Sequence, residues 1–201
     1  MPELQVRKLT LEQAEEIYKK YLKEDFPPAE LKPFLVIRQA WVKNNYSAYG
    51  FYEKASDKLC AYAFFLADHK KRALLLDYFA VYKGLRGSGY GSHALELLRR
   101  ECADWNTIII EVEDDELPGL DEETRRIRKR RIAFYTGAGC RMTTTRSRVW
   151  GVDYRIMVMP LRDVQAEENT AEKVRSLYQG MYDKNILKMR LKIIKEPNTS
   201  R

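Results

Sequence analysis

Between Arg86 and Ser92 the chain reads Arg-Gly-Ser-Gly-Tyr-Gly-Ser, preceded by the apolar run Leu74 to Val81 and followed by a helix-patterned stretch. Glycines let backbone amides approach a bulky anion, and the first turn of a helix offers unpaired N–H groups and the positive end of its dipole. Such a turn can hold a diphosphate without a metal. Three phosphate-binding patterns compete for it. A P-loop needs Gly-x-x-x-x-Gly-Lys-Ser/Thr; Gly84 and Gly89 have the spacing, but Tyr90 stands in the lysine's place and excludes it. The dinucleotide fingerprint Gly-x-Gly-x-x-Gly is met at Gly87 and Gly89 and missed at Ser92, although Glu111 lies where a ribose-binding acid would be. The pattern Arg/Gln-x-x-Gly-x-Gly/Ala is met in full by Arg86, Gly89 and Gly91.

Carboxylates are the second chemical resource. Glu111 and Glu113 alternate along an apolar strand, which puts both on one face. They open an acidic stretch, Glu111 to Glu116, suited to a cationic substrate. Asp77 lies on the strand before the glycine turn. A carboxylate of ordinary pKa is a poor base for an ammonium, so a proton-taking role needs burial or a water relay. Two histidines and three scattered cysteines (Cys60, Cys102, Cys140) argue against a His-rich metal site and a disulfide framework, and no metal is expected.

These residues need elements to position them. Leu4 to Leu9 reads as a strand. Thr10 starts a helix, with Gln13 as its capping-box partner, and Asp25-Phe26-Pro27-Pro28 breaks it. A second helix is expected from about Leu31 to Val42. Tyr46 to Glu53 and Leu59 to Leu66 form a hairpin pattern, and Leu74 to Val81 follows with no intervening helix, so these strands are antiparallel. A helix from about Ser88 to Ala103, a buried strand at Thr107 to Val112, and a helix from about Glu122 to Thr136 come next. Two strands, Arg141 to Trp150 and Tyr154 to Leu161, flank the turn Gly151-Val152-Asp153. A further helix is expected from Thr170 to Leu187, and Pro197 to Arg201 should fray. The antiparallel strands upstream count against the dinucleotide reading.

The glycine pattern with its flanks, Leu76-Asp77-Tyr78-Phe79-Ala80-Val81 before and Ala94-Leu95-Glu96-Leu97-Leu98 after, resembles motif A of the GNAT superfamily of acetyltransferases. Ile132 to Arg141 resembles its motif B through Tyr135 and Gly139, with Cys140 in place of the usual Phe and Arg130 where many members carry a cofactor-holding Asn. The resemblance spans about Val6 to Leu161. It implies an α/β fold with a mixed, mainly antiparallel central sheet, splayed strands four and five, and flanking helices. It implies acetyl-CoA as co-substrate, with pantetheine along Phe79, Ala80 and Val81 and pyrophosphate on the amides of Arg86, Gly87, Ser88, Gly89, Tyr90, Gly91 and Ser92. Arg130 stands beside that site, and the basic run Arg125 to Arg131 faces solvent or the 3′-phosphate. The motif-B position makes Tyr135 the acid that protonates the leaving thiolate. Glu111 matches a base used by some relatives, with Asp77 and then Glu113 as rivals. An oxyanion donor is expected on strand four near Val81.

The expected activity is therefore acetyl transfer to an amine, on a small molecule or a peptide, in a direct ternary complex. The alternatives are a catalytically silent acyl-CoA-binding module and a nucleic-acid-binding protein. The latter would use Lys184, Lys188, Arg190, Lys192 and Lys195, and the net charge of +7 is compatible with it. The sequence carries none of the common nucleic-acid motifs, which counts against it. A GNAT domain over 1–161 and a basic helical extension over 162–201, packed on the same domain, are expected. No apolar run approaches the roughly 20 residues that span a bilayer. The N-terminus lacks a signal-peptide core, so a cytoplasmic protein without membrane contact is expected. The reading leaves room for a homodimer.

Overall fold

The computed structural model describes residues 3–163 and 165–195. An eight-stranded sheet runs through them in the order β1-β2-β3-β4-β5-β7-β6-β8. Strands β1 (Leu4–Lys8), β2 (Tyr46–Glu53), β3 (Leu59–Asp68) and β4 (Ala73–Val81) form an antiparallel meander. Strand β5 (Thr107–Glu113) joins β4 in parallel, and β7 (Val152–Pro160), β6 (Arg141–Val149) and β8 (Leu191–Lys195) continue antiparallel. This is the mixed, mainly antiparallel sheet that the sequence predicts.

Helix α1 (Leu11–Ile17) starts at the expected capping box: the Thr10 amide donates to Gln13 Oε1 at 2.9 Å, and Thr10 Oγ1 accepts from the Gln13 amide at 3.3 Å. A π turn, Tyr18–Leu22, and a short α2 (Lys23–Asp25) continue it. α1, α3 (Phe34–Val42) and α6 (Thr170–Gln179) cover one face of the sheet, where Ala14, Ile37, Tyr62, Phe64 and Leu177 form a core. α4 (Tyr90–Glu101) and α5 (Glu122–Gly137) cover the other face, burying Leu95, Leu98 and Tyr135 against Phe65, Ile108 and Ile110.

The decisive irregularity lies in β4. Phe65 pairs with Leu76 and Phe64 with Tyr78, so Asp77 is an extra residue with no counterpart on β3. This is a β-bulge, which bends the strand and re-aims its side chains. Leu74 and Leu76 face the α4 side before it, and Phe79 and Val81 after it; Leu75, Tyr78 and Ala80 face the other way. Pairing with β5 stops at the same place, with Leu76 opposite Ile110 as its last pair. Beyond it the two strands splay, as the resemblance implied, and β4 has no partner on its β5 side among the described residues.

The segment after β7 differs from expectation. Instead of one helix from Thr170 to Leu187, α6 ends at Gly180 and a new helix, α7 (Lys184–Arg190), starts where Asp183 accepts the Asn185 amide at 2.8 Å. The chain then pairs with β6 as β8, and Leu191 and Ile193 pack on the core. The basic residues Lys184, Lys188, Arg190 and Lys192 ride on these elements. Residues Pro197 to Arg201, expected to fray, lie outside the described residues. Cys60, Cys102 and Cys140 are buried and free. Among the described residues no helix is long and apolar enough to cross a membrane.

Candidate active site

The splay opens into a cavity of ≈ 1200 Å³ that runs past both strands. On the α4 side its wall includes Phe79, Val81, Gly87, Gly89, Gly91 and Ser92, with Arg130 and Tyr135 from α5. On the far side it includes Lys32, Asp77, Glu111, Tyr154 and Tyr178. Ala80 and Arg86 also reach the wall; Ser88 does not, and Tyr90 turns away to donate from its hydroxyl to Glu53 Oε1 at 3.1 Å. Of the predicted binding residues these two therefore offer backbone at most.

Each glycine of the turn has its own reason. Gly87 and Gly89 adopt φ of +81° and +85°, in the left-handed region that costs other residues about 1–2 kcal/mol. Gly89 is the N-cap of α4, and no side chain caps that first turn, which leaves its amides to the cavity. Gly91 answers to packing: a Cβ there would stand 3.1 Å from Phe134 Cζ and 3.4 Å from Val81 Cγ2. Arg86 is a brace rather than an open anion hook. Its Nε donates to the Val81 carbonyl at 2.8 Å and its Nη2 to Asp25 Oδ1 at 2.7 Å, while the Tyr62 hydroxyl donates to the other Asp25 oxygen at 2.8 Å.

The three carboxylates separate sharply. Asp77, turned inward at the bulge with 2% of its side chain exposed, accepts from Lys32 Nζ at 2.5 Å and from the Tyr46 hydroxyl. Burial alone would lower the Lys32 ammonium, but the Asp77 charge and hydrogen bond outweigh it and hold the lysine well above its ordinary pKa. Glu113 is taken by an ion pair with Arg131 of α5. Glu111 has no cation in contact among the described residues. It accepts from the Tyr178 hydroxyl at 2.7 Å and from Ser147 Oγ at 3.2 Å. Burial, with help from the Asp77 charge, raises its pKa against these hydrogen bonds and the Lys32 charge. A raised carboxylate on a cavity wall is a better proton acceptor than an ordinary one.

Lys32 also fixes the loop between α2 and α3. Its amide donates to the Tyr78 hydroxyl at 2.8 Å, that hydroxyl donates to the Glu30 carbonyl at 3.0 Å, and Tyr18 donates to the Lys32 carbonyl at 2.9 Å. We expect Asp77→Asn to leave a buried ammonium unpaired and to cost about 3–5 kcal/mol in urea denaturation, with Asp77→Asn combined with Lys32→Met recovering most of it. A loss below about 1 kcal/mol in the single variant would show that the pair carries no such structural role.

Tyr135, 7% exposed, ends α5 beside Phe134, with ring centroids 5.1 Å apart, and Phe134 in turn stacks on Phe79 at 6.3 Å. Burial raises its pKa, so the phenol keeps its proton through the working pH range. Lys32, Tyr46, Ser147, Trp150, Tyr154, Tyr178 and Tyr182 are invisible to spacing in the sequence because they come from separate strands, helices and loops. The helix-breaking Asp25-Phe26-Pro27-Pro28 was the only pointer to that region, and Asp25, Phe26 and Pro28 do reach the wall.

The sequence model of the Acetyltransferase (GNAT) family matches residues 11–120. The chain belongs to the GNAT acetyltransferase family. The matched stretch of this GNAT protein contains the glycine turn, Asp77 and Glu111, and ends before Tyr135, Ser147 and Tyr178. Solved structures share the fold. An acetyltransferase assigned to the GNAT family from Bacteroides thetaiotaomicron is 21% identical, covering 89% of this chain and 99% of that one, with a TM-score of 0.65. The Escherichia coli ribosomal-protein-S18-alanine N-acetyltransferase is 20% identical over 83% of this chain and 98% of that one, with a TM-score of 0.51. A Vibrio cholerae spermidine N-acetyltransferase, solved with CoA and spermine, is 10% identical over 83% and 98%, with a TM-score of 0.59. At these identities the likeness is one of fold. No curated protein matches the sequence significantly.

Proposed function

We propose that this GNAT protein transfers an acetyl group from acetyl-CoA to a primary amine, directly, within a ternary complex. One observation carries the reading: a single cavity joins an uncapped, glycine-led helix N-terminus to Glu111, a part-buried carboxylate with no cation in contact among the described residues, across a splayed pair of strands. The wall fits an acyl-CoA. The α4 amides and the dipole behind them suit a pyrophosphate, the unpaired edge of β4 suits an amide-bearing arm, and Arg130 adds positive charge at the rim. Acetyl-CoA supplies an activated acetyl group and a thiolate leaving group.

The chain's own residues then have three tasks. Glu111 takes a proton from the incoming ammonium, directly or through water, which frees the nitrogen lone pair for the new C–N bond. A β4 amide near Val81 donates to the carbonyl oxygen as negative charge gathers there. As the C–S bond breaks, the nitrogen gives its second proton to water and Tyr135 gives its proton to the sulfur; Tyr135 is then reprotonated from solvent. Direct transfer is supported by the lack of a thiol nucleophile at the site. No cysteine reaches the cavity wall, and burial pushes the Cys102 and Cys140 thiols up to about 12.

The test is amine-dependent release of free thiol from acetyl-CoA across a panel of primary amines. Binding of acetyl-CoA with no thiol release for any amine would leave the silent binding module as the correct reading. Within the active protein, Tyr135→Phe should lower kcat by about 10²-fold or more with acetyl-CoA affinity little changed. An unchanged kcat removes Tyr135 as the acid.

A further inference from the structure

Four carboxylates reach the cavity wall: Asp25, Glu30, Asp77 and Glu111. Two of them are paired in contact, Asp25 with Arg86 and Asp77 with Lys32. Glu30 and Glu111 have no cation in contact among the described residues, and Glu111 is held by two neutral hydroxyls. The cations whose fields reach Glu30 are bonded elsewhere. Arg131 pairs with Glu113, Lys32 with Asp77, and Arg128 donates from Nη1 to the Asp114 carbonyl at 2.6 Å. Burial raises the Glu30 carboxyl against these three fields, as it raises Glu111.

Glu30 is also held in place. Its amide donates to the Pro27 carbonyl at 2.9 Å, and its carbonyl accepts from the Tyr78 hydroxyl at 3.0 Å. The backbone is thus fixed on both sides of a part-buried side chain at the cavity wall. One aromatic ring belongs to the surroundings of both carboxylates. Tyr154 lies two residues along β7 from Ile156, the partner of Glu111, so Tyr154 and Glu111 share a face of the sheet. Burial first, then the charges of Glu30 and Glu111, push the Tyr154 phenol up. The acceptor side of the cavity therefore presents two carboxylates without a contacting cation and a ring within the field of each.

We infer that Glu30 is a specificity-determining residue: it receives a second cationic group of the acceptor, while Glu111 receives the ammonium to be acetylated and the Tyr154 ring lies beside the chain that joins them. The acceptor is then a primary amine with a second cation on the same short chain, matching charge to charge. This rests on the acetyl-transfer reading and narrows it. Calorimetric titration of the full chain, saturated with CoA that has no acetyl group to give, reads binding without chemistry. 1,6-Diaminohexane should bind roughly tenfold or more tighter than n-hexylamine. Glu30→Gln keeps the side-chain shape and removes the charge, so the two amines should bind that variant within about twofold of each other. Equal or weaker binding of the diamine by the wild-type chain overturns the inference, whether or not the variant folds. So does a diamine preference left undiminished in Glu30→Gln. Thiol release with acetyl-CoA separates the two readings. Preferential diamine binding without thiol release from either amine supports the Glu30 subsite and overturns acetyl transfer; thiol release at equal kcat/KM for the two amines supports acetyl transfer and overturns the Glu30 subsite alone.

Discussion

Gly89→Glu should abolish acetyl-CoA binding while the protein remains folded. Gly89 caps α4 in the left-handed region, and its neighbours in the first helical turn present amides to the cavity. A glutamate there sets a carboxylate at the proposed diphosphate site. A like charge at contact range costs about 4 kcal/mol at the effective dielectric of a protein surface, close to three orders of magnitude in Kd. The left-handed conformation adds about 1–2 kcal/mol, which acts on stability whether or not ligand is present. Gly89→Ala isolates that second part: it should lower the melting temperature and weaken binding far less. Gly84→Glu supplies the matching charge control, because Gly84 lies off the cavity wall and a Cβ there meets nothing within 4 Å. Calorimetric titration with acetyl-CoA reads all three. Retained affinity in Gly89→Glu, or an equal loss in Gly84→Glu, would move the anion site away from this turn.

Glu111→Gln should lower kcat by about 10²–10⁴-fold, with acetyl-CoA affinity unchanged. The pH profile carries the sign. The Glu111 pKa is raised by burial, so the wild-type acidic limb of kcat/KM rises with pH as Glu111 loses its proton, at a midpoint above the ordinary carboxylate value of about 4.3. Glutamine holds no such proton, so this limb disappears. Tyr178→Phe removes a donor that steadies the carboxylate and should move the limb to still higher pH, a shift that a packing role alone does not produce. An acidic limb left in place by both variants assigns the base to water. Asp77 fits that role less well, because both of its oxygens accept hydrogen bonds, one of them from an ammonium that keeps its proton.

Much of the scaffold was legible. The aromatic, apolar runs Tyr46–Glu53 and Leu59–Leu66, the capping box at Thr10 and the glycine turn before α4 are short-range patterns, and local sequence suffices to set them. The break within Thr170–Leu187 was less legible, because α6 and α7 share an unbroken helical periodicity in which only Gly180 and the Asp183 cap signal the stop. Strand β8 was missed because five residues carry too little alternation to stand out in a basic stretch.

By itself the sequence determined the family pattern, the glycine turn, the likeness to motif B at Tyr135, and the candidate carboxylates. Only the tertiary structure distinguishes those carboxylates by their surroundings. Asp77, Glu111 and Glu113 are alike in type and lie on neighbouring strands, but their roles depend on what stands opposite each of them. Lys32 reaches Asp77 from 45 positions away, Tyr178 reaches Glu111 from 67, and Arg131 comes to Glu113 on the face of another helix. The bulge that turns Asp77 inward exists only as a register between β3 and β4. Charge compensation and burial are properties of the packed surroundings, and residues so far apart in the chain meet only once the sheet has formed and its helices have closed over it.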